Sequence, residues 1–357
     1  MKSTHLLTGL SLAAALVTNS QAVTTNWIAN AGSFTGNWTS TNNWNAGVPG
    51  IDTIANATVK INNSAADVTV NSAITGGTPI QQFEMQEGTL NIQAGADLEV
   101  GDNNKDFRTG SAGGTTINQS GGDFTVKHQF QLARTGDTDY NLSGGTLDYV
   151  GDSGSGRVMR YYDGANLNVT TTGVVNNLGS AGSGVGAPLG IDNGTTTIGL
   201  ADMAQFNSTA QYRMNFGSGT IDHSFTMNGS GVTASFGSIN AFVQAAASTA
   251  TLRFITDATG VSPINVSGQL DLSGGDHAAD LFIDLTNYAG ASDIVLIDYG
   301  TLSGVAFDNV TIVGGVGTID YDFNGLGQVV LTIPIPEPSS AILLAVAAFG
   351  LGCKRRR

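Results

Sequence analysis

Thr115-Thr116-Ile117-Asn118-Gln119-Ser120-Gly121-Gly122-Asp123-Phe124-Thr125-Val126 is echoed 23 residues later by Thr138-Asp139-Tyr140-Asn141-Leu142-Ser143-Gly144-Gly145-Thr146-Leu147-Asp148-Tyr149. Five of the twelve positions are identical. In both stretches apolar and polar residues alternate on either side of a Ser-Gly-Gly, the period of a strand with one face buried. A period in the twenties with strand-turn-strand content is that of a stacked β-solenoid. One coil cannot bury its own apolar face; the neighbouring coils supply the core and pair the backbone edges. Asn118 and Asn141 are therefore expected to stack at one turn. Gly121 and Gly144 are expected to take conformations that a Cβ forbids.

The same pattern extends outward. Leu90-Asn91-Ile92, Leu98-Glu99-Val100 and Leu167-Asn168-Val169 each follow a glycine and alternate in the same way. Gly145 and Gly164 lie 19 apart, and Gly194 and Gly219 lie 25 apart. The fold expected is all-β: a right-handed β-helix or β-solenoid over 80–240, with a β-rich C-terminal portion over 241–333. In that last portion Leu281-Phe282-Ile283, Ile294-Val295-Leu296-Ile297 and Val329-Val330-Leu331 are continuous apolar runs, which predicts strands buried on both faces. They form either a cap on the solenoid or a small β-sandwich. The Ser-Gly-Gly turn with alternating flanks resembles autotransporter-associated β-strand repeats, over about 80–235, which implies a passenger-like β-helix.

Residues 23–79 differ. Trp27, Trp38 and Trp44 are the only tryptophans and lie within eighteen residues of one another. They are expected to plug the open end of the solenoid, which needs a cap. The alternative is a sugar-stacking surface, since an indole offers a flat apolar face and an N–H donor.

Both ends read as addresses. Lys2, an apolar run from Leu6 to Val17 and a small residue at Ala22 form a signal peptide over 1–22, with cleavage after Ala22. At the other end, 334–357, stand Pro336-Glu337-Pro338, a short uncharged helix-forming stretch and then Cys353-Lys354-Arg355-Arg356-Arg357. This motif, apolar segment and basic cluster resemble the PEP-CTERM sorting signal of Gram-negative bacteria, also catalogued as an ice-binding-protein C-terminal domain. The resemblance covers about the last 22 residues and implies processing at Pro336-Glu337-Pro338 by an exosortase-like membrane enzyme. The apolar stretch is shorter than the roughly 17–25 residues of a permanent span. It fits transient inner-membrane anchoring, with Lys354, Arg355, Arg356 and Arg357 on the cytoplasmic side. Localisation is then the cell surface or the extracellular space.

Composition narrows the chemistry. The single cysteine, Cys353, sits in the tail, so a processed chain has no disulfide and no catalytic thiol. Removal of both ends leaves nine of the 14 basic residues against 28 acids, a formal charge of about −19 instead of −14. Such a surface repels nucleic acid and anionic lipid; extracellular polysaccharide is the candidate partner. No cofactor is expected. Asp320-Tyr321-Asp322-Phe323-Asn324-Gly325 begins like a Ca²⁺ loop, but Leu331 stands where a bidentate Glu belongs. Asn324-Gly325 is read as a β-turn instead. His128, His223 and His277 have no zinc-motif spacing. The best acid–base candidates are Asp148, Asp152, Arg157 and Arg160, four charges within thirteen residues beside a Gly-rich loop. They frame the enzymatic alternative, a β-helix polysaccharide lyase or hydrolase; the bland reading is solvated charges. Thr170-Thr171-Thr172 and Thr195-Thr196-Thr197 suggest an ice- or crystal-binding face but do not repeat per coil. The expected role is a non-catalytic surface or matrix protein.

Overall fold

The computed structural model describes residues 23–28, 35–52, 58–74, 79–101, 105–151, 159–178, 189–214, 219–243, 248–273 and 277–334. The signal segment ending at Ala22, the Pro336-Glu337-Pro338 motif, the basic tail Lys354 to Arg357, Asp152 and Arg157 lie outside them. The described chain is all-β, a parallel β-solenoid of about 8 turns. Its helical content is two three-residue 3-10 turns, Thr41–Asn43 and Phe323–Gly325.

Strand pairing sorts the coils into three faces. The first face stacks Thr24–Asn26, 58–61, 82–85, Phe107–Thr109, Phe130–Leu132, Met159–Tyr161, Leu189–Ile191, Gln211–Arg213, Ser238–Asn240, 269–271 and 301–303. The second runs from Thr35–Asn37 through 67–70, 89–92, 115–119, 138–142 and Ala165–Val169, and on to Val310–Val313. The third runs from Asp97–Val100 through 123–126, 146–149 and Val174–Asn177 to 297–299. All three ladders are parallel. The segments 23–79, 80–240 and 241–333 share one ladder and one apolar core. At the C-terminal end the direction reverses, where Gln328–Thr332 pairs antiparallel with Thr318–Asp320 and with the strand Ile294–Ser303; a short separate pairing of Phe242–Val243 with His277–Ala278 and a Trp27–Trp44 bridge are antiparallel too.

The repeat that opens the sequence is the register of two neighbouring coils. Thr115 pairs with Thr138 and Asn118 with Asn141. Ile117, Phe124, Val126, Tyr140, Leu142, Leu147 and Tyr149 are all buried inside. Asn118 and Asn141 do stack, but on the outer side of a strand and not at a turn. The positive φ falls one residue later than expected, at Gly122 and Gly145. A Cβ on Gly122 would lie 2.6 Å from the Gln93 carbonyl oxygen. Gly121 and Gly144 are needed only for close approach to the coil beneath.

Inside, aromatic rings stack from coil to coil. Trp38 meets Phe83 at 5.5 Å, Phe83 meets Phe107 at 5.4 Å, and Phe107 meets Phe124 at 5.0 Å and Phe130 at 5.3 Å. Burying each such ring is worth about 1.5–3 kcal/mol, with edge-to-face geometry adding to it. Trp27 and Trp44 continue the stack to the N-terminal end. All three indoles are buried, Trp38 Nε1 donates to the Pro49 carbonyl (3.0 Å) and Trp44 Nε1 to that of Trp38 (2.6 Å). They plug the solenoid, and no indole face is offered to a sugar.

The continuous apolar runs divide. Val329, Val330 and Leu331 are all buried, but Leu281-Phe282-Ile283 alternates, with Phe282 turned outward beneath the Arg253 guanidinium, 4.0 Å from its ring centroid. Strands of a one-layer coil have a single apolar side, so an outward Phe needs a cover, and here a cation on the adjacent layer supplies it. The turn at Asn324-Gly325 is present, with φ of 55° and 71°.

Candidate functional site

In a solenoid, residues one coil apart in sequence become neighbours about 4.8 Å apart in space. The outer surface is therefore read along register rows. On the second face Asn91, Asn118, Asn141 and Asn168 form a ladder: each amide donates to the one below at 3.1 Å, and Asn91 donates to Asp67 at 2.5 Å. On the third face Asn207 donates to Asn176 (3.1 Å) and Asn176 to Asp148 (2.8 Å). These ladders satisfy side-chain donors and acceptors within the chain and hold the register.

Charge gathers on the first face. Asp106 precedes the strand Phe107–Thr109 and is 5% exposed. Arg108 donates to its Oδ2 from Nε (3.0 Å) and Nη2 (2.5 Å). His128 Nδ1 lies 2.6 Å from Oδ1, and Gln131 Nε2 reaches Oδ2 at 3.4 Å. A buried charge persists only where it is paired and hydrogen-bonded, and this carboxylate has three partners from two coils. One layer away, Glu84 accepts from Gln86 and Ser111, both at 2.9 Å, and pairs with Lys60 at 3.5 Å. Burial pushes the Glu84 carboxyl up; the hydrogen bonds from Gln86 and Ser111 and the Lys60 charge outweigh it and leave it below the usual value.

An imidazole whose Nδ1 is held by a carboxylate is the orienting half of an acid–base pair. Asp106 was not singled out in the sequence, and His128 was dismissed on helical spacing. The signal that finds them is their separation of 22 residues, close to one coil.

Of the four charges picked from the sequence, Asp148 and Arg160 are among the described residues, and they do not converge. Asp148 sits on the third face, between Thr125 and Asn176. Arg160 sits on the first face, 3.9 Å from Asp192. Spacing along a helix or loop has no meaning once the chain turns a corner between the two. His223 is in the core, between Thr196 and Tyr212. The His277 backbone pairs with Val243. Thr196 is buried and Thr171 occupies a turn at φ 54°, so the threonine runs make no common outer face. Asp320 and Asp322 each accept a backbone N–H of their own turn, at 3.0 and 3.3 Å.

A groove of about 560 Å³ follows the corner between the third and first faces, lined by Ser208, Ser235, Asn265, Asp298 and Tyr299 among others, with Asp298 its one carboxylate. Among the described residues no group of three His, Cys, Asp or Glu is placed to hold a metal ion, and no helix is long and apolar enough to cross a membrane. Comparison with protein-family models, curated proteins and solved structures finds no match to this chain.

Proposed function

We propose that this chain is an exported, non-catalytic solenoid of the cell surface or extracellular matrix, sorted through its C-terminal segment by an exosortase-like enzyme. The coils are read as right-handed, the hand taken by about 98% of parallel crossover connections. The terminal segments form the export and sorting helices. The observation that carries the reading is the pairing of the outward Asn ladders and of the densest charged cluster within the chain itself. The Asn ladders bond layer to layer, and the densest charged cluster places its carboxylate 5% exposed under donors from Arg108, His128 and Gln131. A general base must reach the proton it takes, and this one is enclosed.

The second reading, a polysaccharide lyase or hydrolase, is favoured by the Asp106–His128 contact with Arg108 beside it. One assay separates the two. The purified protein is incubated with acidic and neutral polysaccharides with Ca²⁺ supplied. No new reducing or unsaturated ends are expected; their appearance, and their loss in Asp106→Asn, overturns the structural reading.

A further inference from the structure

Lys60, Arg108, Arg160 and Arg213 fall on a single outer register row of the first face, on every second layer. The layers between them carry Glu84, Gln131 and Gly190 at the same register position. Eight lysines and arginines lie among the described residues, so half of them share this one row. The side chains of Lys60, Arg108 and Arg160 are about one-third exposed, at 32%, 28% and 30%. With layers about 4.8 Å apart, successive cations stand roughly 9.5 Å apart. The third face is the opposite: its outward positions include Asp97, Glu99, Asp123, Asp148 and Asp298, and its strands carry no Lys or Arg.

We propose that this row binds a linear, extended acidic glycan bearing one carboxylate per disaccharide. The step between cations is close to the length of an extended disaccharide. An acidic polymer is repelled by the third face and by the chain's net charge, which leaves the first face as the strip where it can lie. Glu84 sets the selectivity. A glycan with a carboxylate on every sugar would place one against Glu84, between Lys60 and Arg108, whereas alternate carboxylates fall at the cations, where they compete with the chain's own partners Glu84, Asp106 and Asp192 for Lys60, Arg108 and Arg160. Gln131, buried with its amide donating to Asp106 and Gln129, and Gly190 add no charge to the row between the cations. Arg108 donates to Asp106 from one edge of a guanidinium that has five donors, so Asp106 orients the side chain without exhausting it.

The proposal rests on the reading of this chain as a matrix protein, and its test is separable from that reading. Binding of the full-length protein is measured against hyaluronan, with one carboxylate per disaccharide, polygalacturonate, with one per sugar, and neutral dextran, at low and high salt. Hyaluronan is expected to bind best and to be released by salt. Lys60→Gln, Arg108→Gln, Arg160→Gln and Arg213→Gln should each weaken binding about two- to five-fold. Arg253→Gln, on the second face, should leave it unchanged. Arg213→Gln stands four layers from Arg108 and reads the row without disturbing Asp106, and circular dichroism checks that each variant folds. Unchanged binding by the fourfold variant, equal binding of polygalacturonate, or no binding of hyaluronan at low salt overturns the proposal. Release of new reducing or unsaturated ends in the same mixtures would defeat the non-catalytic reading alone; the row still stands or falls on the affinities.

Discussion

Acid should unfold this solenoid partly through one core histidine, His223. Its strand pairs with the layer that carries Thr196. Thr196 Oγ1 lies 2.7 Å from Nδ1, and the Tyr212 hydroxyl contacts Nε2. Both ring nitrogens are occupied, no carboxylate is among their partners, and the ring is 1% exposed. Burial pushes the imidazole down to about 3, a hydrogen bond with Thr196 pulling the other way and losing. In the unfolded chain the ring titrates near its ordinary 6.5. Between those values the unfolded state holds one more proton than the folded state, so stability falls as pH falls through this window and is whole above about 6.5. At pH 4 the loss is about 3 kcal/mol, at 1.36 kcal/mol per unit. The assay is denaturant unfolding followed by far-ultraviolet circular dichroism at pH 7 and pH 4. The wild type is compared with His223→Gln, which keeps polar partners for Thr196 and Tyr212 but does not titrate. Carboxylates titrate alike in both proteins, so the difference of differences isolates the ring. The wild type should lose about 3 kcal/mol more than the variant on acidification. Equal losses would refute the argument, as would a His223 resonance that titrates near 6.5 in the folded protein.

Other expectations follow from single positions. Leu147→Ala empties a fully buried site between coils and should cost about 2–5 kcal/mol, read as a lowered denaturation midpoint. Gly122→Ala forces φ of 71° on a residue whose new Cβ meets the Gln93 carbonyl; a loss of about 1–3 kcal/mol is expected, and unchanged thermal stability would count against the turn. Asn141→Ala removes the bonds to both Asn118 and Asn168 and should cost about 1 kcal/mol, with faster amide exchange in the flanking layers. If the ends are processed, intact-mass measurement of the extracellular protein should show neither Met1 to Ala22 nor the Lys354–Arg357 cluster, and a secreted species retaining that cluster contradicts the sorting proposal.

How much of this was legible before the structure depends on which interactions repeat. The register of Thr115 with Thr138 follows from identity at one offset, because a parallel stack of coils places like residues on like and an Asn ladder rewards it. The core was legible for the same reason: alternation marks inward positions whichever coil they belong to. The turn glycine was misplaced by one residue, because Ser-Gly-Gly does not say which glycine carries the positive φ. Residues 23–79 and 241–333 looked like separate pieces because their composition differs, yet both are paired into the same ladder. Tryptophans are used where the stack must end, and continuous apolar runs where antiparallel strands close it.

The charged face was hidden by arithmetic. Along its row the steps from Lys60 to Glu84, Arg108, Gln131, Arg160, Gly190 and Arg213 are 24, 24, 23, 29, 30 and 23 residues. The two long steps fall where more sequence separates Tyr149 from Met159 and Asn177 from Leu189, while the strands on either side stay in register. A search at constant period therefore loses the row after Gln131, although nothing in space has shifted. Windowed reading fails in the opposite sense, since it joins Asp148 to Arg160 across a corner that puts them on different faces. The useful distance in such a chain is the layer, not the residue. Once Ile117, Tyr140, Leu167, Ile198 and Phe225 are aligned as one inward row, every outward row can be counted from it, and the alternate cations can be read directly from the sequence.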